Sequence, residues 1–263
     1  MIKFDLIQIS TIYSFLCYFN YCSVSPFLLN MVPVLRNKSR KKNASCTDLV
    51  VWGSNLASTV GIGKFTKQTR EMIKLPPYQK SVIIGLILSD GFLSLSSKGS
   101  KNARLEFEQS KEYVFFVFFI LSHYCNSLPV LKKGIRKENV NYSLKIVTRS
   151  ILCFTELYSL FYLNKVKIIP DNIYDLLTPV ALAHFIMGDG QVASNGLRIC
   201  TDAYSSSDIV KLINVLMIKY RLVCTIHVLD DRQRIYISAK SINLLAPIIK
   251  PYMIKSMYYK IKS

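Results

Sequence analysis

The chain has 263 residues, 51% of them hydrophobic, and its 34 Lys and Arg against 16 Asp and Glu give a formal charge of +18. That much apolar material fills one large domain or two small ones and excludes a disordered chain, while the positive excess points to a polyanionic partner, either nucleic acid or an anionic membrane surface. Seven cysteines, odd in number and without a C-x-x-C pair, and three isolated histidines (His123, His184, His227) exclude a disulfide framework, a zinc site and histidine-centred nuclease chemistry.

The first 45 residues contain an apolar run, Ile7 to Leu35, followed by the basic cluster "RNKSRKK", Arg36 to Lys42. Such a run is long enough to span a membrane or serve as a signal, or it is translated from an upstream reading frame; it is set apart from the fold as an extension. Residues 46–76 form a polar, Gly- and Ser-bearing arm, mostly irregular and placed to touch DNA. Its "GIGKFT" lacks the G-x-x-x-x-G-K spacing of a phosphate loop. The later run "YVFFVFFIL", Tyr113 to Leu121, is shorter than the ~20 residues a bilayer needs and is expected to be a buried helix. Lys in excess over Arg, with plentiful Ile, Asn, Tyr and Phe, is the bias of an A·T-rich coding sequence and suggests an organellar gene.

From residue 77 the sequence repeats itself, in copies spanning 77–172 and 173–263. "IIGLILSDG" (Ile83 to Gly91) and "LAHFIMGDG" (Leu182 to Gly190) each end an apolar run on an Asp-Gly pair. A turn and an alternating strand follow each, "RLEFEQS" in the first copy and "LRICTDA" in the second, with the first turn about six residues longer. A helical stretch comes next in both, "KEYVFFVFFILSHYC" and "SSDIVKLINVLMIKY", the second capped by Ser207 or Asp208. Two strands, a helix (near Ile151 to Tyr162 and Ser241 to Lys250) and a Lys-Ile pair (Lys167-Ile168 and Lys260-Ile261) complete each unit. The expected fold class is α+β: two pseudo-symmetric αββαββα repeats, each an antiparallel, saddle-shaped sheet backed by helices. Lys98, Lys101, Arg104, Lys132, Lys133, Arg136, Lys137, Lys145 and Arg149 in the first copy, and Arg198, Arg232 and Arg234 in the second, are expected on the sheet surfaces, where they suit a DNA groove.

A carboxylate at a helix C-terminus is opposed by the macrodipole by ~0.3–1 kcal/mol, so Asp90 and Asp189 need compensation. Gly91 and Gly190 are expected to be left-handed stop residues. A divalent cation between the two helix ends would offset both repulsions, with Asp90, Asp189 and the backbone at Ser89, Gly91 and Gly188 as oxygen ligands. Gly85, Ser89, Ala183 and Gly188 are small enough to let the helices approach.

These residues carry a family resemblance. The two nonamers resemble the paired motifs of single-chain LAGLIDADG homing endonucleases, and "IIPDNI" (Ile168 to Ile173), "LTPVALAHFIMGDG" (Leu177 to Gly190) and "APIIKPYMIKSMYYKI" (Ala246 to Ile261) extend the likeness over roughly residues 70 to 263. The resemblance implies two motif helices packed at the centre and Mg2+ or Mn2+ held by Asp90 and Asp189 to hydrolyse both strands of a long DNA site. It also implies that Lys167 and Lys260 stand near the scissile phosphates and that Gln109 and Asp202, at equivalent strand positions, touch the water network. Two departures stand out. Leu88 and Met187 occupy a motif position that is often acidic, and His184 replaces a small residue, with no chemistry assigned to it. The implied protein is a monomeric, mitochondrial, intron-encoded nuclease. Two other functions stay open: a group I intron maturase that binds RNA, and a membrane-associated binding protein, the latter leaving the repeat unexplained.

Overall fold

Proline opens both helices that end on the Asp-Gly pairs, where its missing N–H costs nothing. Pro77 starts α2 (Pro77–Leu88) after a single-turn-long α1 (Lys67–Met72), and Pro179 starts α6 (Pro179–Asp189), where the Thr178 hydroxyl accepts from the Ala181 N–H at 3.2 Å. The computed structural model describes residues 56–95, 101–136, 139–229 and 231–262. Every residue of α2 from Ser81 to Leu88 is buried, as is α6 from Ala181 to Met187, so both are enclosed on all sides rather than along one stripe.

The first repeat continues with β1 (Phe92–Leu95), β2 (Ala103–Gln109), α3 (Lys111–Leu121), β3 (Val130–Arg136), β4 (Asn139–Val147), α4 (Leu152–Phe161) and a short hairpin, β5 (Tyr162–Leu163) and β6 (Val166–Lys167). After the one-turn α5 (Ile173–Leu176) and α6, the second repeat runs through β7 (Gly190–Ala193), β8 (Gly196–Ile199), α7 (Ser206–Tyr220), β9 (Cys224–Leu229), β10 (Arg232–Ser238) and α8 (Ala239–Ile249), ending in 3-10 turns at Lys250–Tyr252 and Lys255–Ile261. Both sheets are four-stranded and antiparallel, with orders β1-β2-β4-β3 and β7-β8-β10-β9. The same order twice is the expected duplication, αββαββα in each copy.

Strand alternation decides which side is core. Leu93, Leu105, Phe107, Leu144 and Ile146 line the helix side of the first sheet, and Leu197, Ile199, Ile235 and Ile237 that of the second, all buried. The aromatic run is the buried helix expected: Tyr113, Val114, Val117, Phe118, Ile120 and Leu121 of α3 face inward. No helix among the described residues is long and apolar enough to cross a membrane. The extension, residues 1–45, lies outside the described residues.

Several local expectations need correcting. The α7 cap is Ser205, whose hydroxyl accepts from the Asp208 N–H, because extended backbone at Ser205 lets the helix begin one turn earlier than the apolar periodicity suggests. Neither motif glycine is left-handed. Gly190 has φ −70°, and among the described glycines only Gly61 has positive φ. Both are needed for proximity instead: a Cβ on Gly91 would lie 2.8 Å from the Leu86 carbonyl oxygen, and one on Gly190 2.5 Å from that of Ile186.

Arg149 is not on a groove surface. It is buried, with 9% of its area exposed, and its guanidinium donates to the carbonyls of Gly63 (2.9 Å), Thr59 (2.8 Å) and Ile62 (2.7 Å) while stacking on Phe65 at 4.1 Å. The Thr59 hydroxyl adds a bond to the His123 carbonyl at 2.7 Å. The arm is therefore fastened to the first repeat by a cation that bonds three of its carbonyls. Arg149→Ala is expected to cost about 3 kcal/mol, the scale of losing charged hydrogen bonds to buried acceptors, and to make the arm the first site of limited proteolysis. An unchanged melting temperature and digestion pattern would contradict this.

Candidate active site

α2 and α6 pack along their small residues. A Cβ on Gly85 would collide with the Ala181 carbonyl oxygen and lie 2.6 Å from the His184 Cβ; a Cβ on Gly188 would collide with the Ser89 hydroxyl and lie 3.3 Å from Asp90 Oδ2. Each crossing point therefore sets a glycine of one helix against a side chain of its partner. On the second helix the residues nearest Gly85 are Ala181 and His184, which flank the expected Ala183. His184, aligned with Gly85 in the motif, turns its ring into the first repeat. Its Nδ1 is 3.0 Å from the Tyr113 hydroxyl, which also donates to the His184 carbonyl, and its ring stacks on Phe116. Burial pushes the imidazole down to about 3, so it is a neutral packing group.

At this crossing the two helix ends carry Asp90 and Asp189, the latter the last helical residue and the former two positions past Leu88. A lysine serves each end. Lys167 Nζ donates to the carbonyls of Ile87 (2.8 Å), Ser89 (3.2 Å) and Gly91 (3.1 Å), and Lys260 Nζ to those of Ile186 (3.4 Å), Met187 (2.6 Å) and Gly188 (3.3 Å). An ammonium has three N–H donors, and here they answer carbonyls at and just past the negative pole of a helix. The carbonyls of Ser89, Gly91 and Gly188, expected among the metal's oxygen ligands, each accept from a lysine and keep a second lone pair, and ammonium charge offsets the macrodipole. The Ser89 hydroxyl is also engaged, donating to the Gly85 carbonyl at 3.1 Å.

The two halves differ around their carboxylates. Gln109, at the end of β2, donates from Nε2 to Asp90 Oδ2 at 2.8 Å. Asp202 lies past the end of β8, not on a strand, and accepts from Arg232 Nη1 (2.9 Å) and Arg234 Nε (3.4 Å). Gly190 pairs with Ile199 while Phe92 pairs with Glu106, so the ladders make Thr201 the counterpart of Gln109. Thr201 is buried and bonded to the Gln233 carbonyl. The expected equivalence of Gln109 and Asp202 is thus off by one residue, a shift hidden by the unequal turns before the strands.

Burial and the charge of Asp90 push the Asp189 carboxyl up to about 7, against the pull of Lys167 and Lys260; Asp202 adds to the upward push. Burial lowers both lysines, while Asp90 and Asp189 raise them. A buried carboxyl so reluctant to ionise is a place where a cation is welcome. Among the described residues no group of three His, Cys, Asp or Glu converges, so two carboxylates are the whole acidic donor set. That set fits Mg2+ or Mn2+, which take their remaining oxygens from water and phosphate.

The outward sheet faces carry part of the expected basic surface. In the first sheet Arg104, Lys132 and Lys145 share a face with Phe92, Ser94, Glu106 and Ser143, by direct pairing across the strands. In the second, Arg198, Arg232 and Arg234 share a face with Gln191, His227 and Tyr236. Lys133 pairs with Tyr142 and so points to the opposite side of the sheet from Lys132, a correction that period-two alternation imposes. Lys101 is exposed in the turn before β2, and Arg136 is the last residue of β3. Lys98 and Lys137 lie outside the described residues.

Sequence reasoning missed Tyr204. From the turn before α7 its hydroxyl donates to the Leu88 carbonyl at 3.0 Å, a tie from the second repeat to the end of the first motif helix. Nothing in the local pattern marks it, because the first repeat has no matching tyrosine.

Two antiparallel sheets with basic outer faces, joined through a pair of buried helices that end on carboxylates, define a two-motif nuclease fold. The chain belongs to the LAGLIDADG DNA endonuclease family, whose model matches residues 80–245. It is 36% identical over 158 residues to the intron-encoded endonuclease ai4 of Dictyostelium discoideum, covering 56% of this chain and 98% of that one. It is 32% identical over 197 residues to the cytochrome b mRNA maturase bI2 of Saccharomyces cerevisiae, a match covering 69% of this chain and 46% of the maturase. Among solved structures it resembles the homing endonuclease I-WcaI bound to its DNA recognition sequence, at 27% identity and a TM-score of 0.70, over 77% of this chain and 95% of that one.

Proposed function

We propose that this chain is a monomeric, site-specific homing endonuclease that hydrolyses both strands of a long DNA target with a divalent cation, in the mitochondrial matrix. The observation that carries the reading is the crossing of α2 and α6, which sets Asp90 beside Gly188 and so next to Asp189, with a half-buried Lys167 and a buried Lys260 behind the two helix ends. Asp90 and Asp189 would hold Mg2+ or Mn2+, which supplies an activated water and neutralises the leaving oxygen. Gln109 orients the Asp90 carboxylate through its amide. Lys167 and Lys260, their hydrogens already committed to carbonyls, act on the reaction as fixed positive charges rather than as donors to phosphate. Asp202, drawn toward Arg232 and Arg234, shapes the field at the Asp189 side. The outward cations on both sheets, Arg104, Lys132, Lys145, Arg198, Arg232 and Arg234, would line the flanking grooves.

The test is incubation of the purified protein with plasmids carrying the intronless insertion site of its host gene. Linear product in Mg2+ or Mn2+ and none in EDTA is expected; undiminished cutting in EDTA would overturn the metal assignment. A second reading has its own support, since two of the relatives are named maturases. Tight binding of the group I intron RNA with no cutting of any insertion-site duplex would move the chain to that class.

A further inference from the structure

Glu106 is an anomaly on a face built to meet a polyanion. It lies on β2, the second strand of the first sheet, on the outward side, yet its side chain is only 8% exposed. Its Oε1 accepts from Ser94 Oγ (2.8 Å), Arg104 Nε (3.0 Å) and Arg104 Nη2 (2.9 Å), and its Oε2 pairs with Lys145 Nζ at 2.6 Å. Glu106 pairs with Phe92, two residues beyond Asp90; in the second sheet the residue pairing with Gln191, two beyond Asp189, is Arg198. The same structural position is thus acidic in one half and basic in the other.

A surface that only gathered phosphates would gain nothing from this carboxylate. It repels the backbone, ties up two of the sheet's cations while offsetting one unit of their charge, and loses hydration on burial. What it provides is orientation. An unrestrained arginine is satisfied by any phosphate, which carries no sequence information, whereas one with Nε and Nη2 committed to a carboxylate presents only its remaining edge. Resting on the nuclease reading above, we propose that Glu106 is a positioning residue for target discrimination. It holds Arg104 and Lys145 in one orientation for base edges in the first half of the target, and it withholds their charge from the backbone of other DNA.

The experiment measures binding of the full chain to the intronless insertion-site duplex and to a random duplex of equal length, across a salt series, without divalent metal. With Glu106→Gln, which keeps size but removes the charge and sets an amide NH2 against a cation, affinity for random DNA is expected to rise. The slope of log K against log[salt] on random DNA should steepen by about 0.9 for each cation released. Preference for the target should fall by about tenfold, the scale of one well-formed bidentate base contact. A second variant avoids any doubt over folding at a buried acid: Arg104→Gln, at a half-exposed side chain, leaves Glu106 paired with Lys145 and should lower affinity for the target by a larger factor than affinity for random DNA, because the base-facing guanidinium edge is lost with the charge. If Glu106→Gln alters both duplexes by one factor with no change of slope, or Arg104→Gln lowers affinity for both duplexes by one factor as an ordinary phosphate contact would, the inference is overturned. A wild-type chain that does not distinguish the two duplexes at all would instead overturn the nuclease reading on which it rests.

Discussion

Asp90→Asn and Asp189→Asn are each expected to abolish linear product from a target plasmid, with rates down by at least about 10²–10³-fold, the effect of losing one preorganised charge in a closed site. Neither change alters shape, so target binding in the absence of metal should survive. Asp189→Asn should also raise the melting temperature at neutral pH. The Asp189 carboxyl is held at about 7 in the fold against an ordinary value of 3.8, so the folded state keeps a proton that the unfolded chain releases. Its contribution to stability is therefore fully present below about pH 3.8 and is lost as pH rises toward 7. The asparagine chain escapes that loss, and its advantage should be largest at pH 7 and above and vanish near pH 4. Thermal melts of both chains across this window check the sign. Retained cutting by Asp90→Asn, or a melting difference that grows as pH falls, would contradict the assignment of the paired carboxylates.

Gly85→Val is expected to be the most damaging single change to the fold. Even a Cβ at this position runs into the Ala181 carbonyl, which as helix backbone cannot step aside, and comes within 2.6 Å of the His184 Cβ. The two motif helices would have to part. The cost should reach about 3 kcal/mol, the upper end of ordinary overpacking, or roughly 6–12 °C for a chain of this size. Because the same helices position the carboxylates, cutting should fall further than the loss of folded protein accounts for. A melting temperature within a degree or two of the natural chain would show that the helices can adjust.

Much of this architecture is legible from residue order. Two Asp-Gly pairs closing apolar runs, strands at matching offsets and a Lys-Ile pair after each unit map onto two sheets of identical strand order. What resists reading depends on direction in space. Arg149 and Arg104 look alike in a basic strand pattern, yet one turns inward to three carbonyls of the arm and the other outward to Glu106. The need for Gly91 and Gly190 is visible, but its cause, a carbonyl directly behind each, is not. Lys167 and Lys260 each reach three carbonyls at a motif helix end, two of them in matching positions, from a hairpin and from a 3-10 turn, so the matching function is carried by dissimilar local structure. Glu106 could have been flagged from alternation alone, as an acid on a face otherwise chosen for positive charge.

The ring of His184, set between Tyr113 and Phe116 of the other repeat, bears on how such proteins can be recombined. A half taken from this chain and joined to one from a relative would bring either an imidazole with no slot to receive it or an aromatic slot with nothing to fill it. The halves are thus fitted partners, and a chimera should work only when residues 113, 116 and 184 travel as a set.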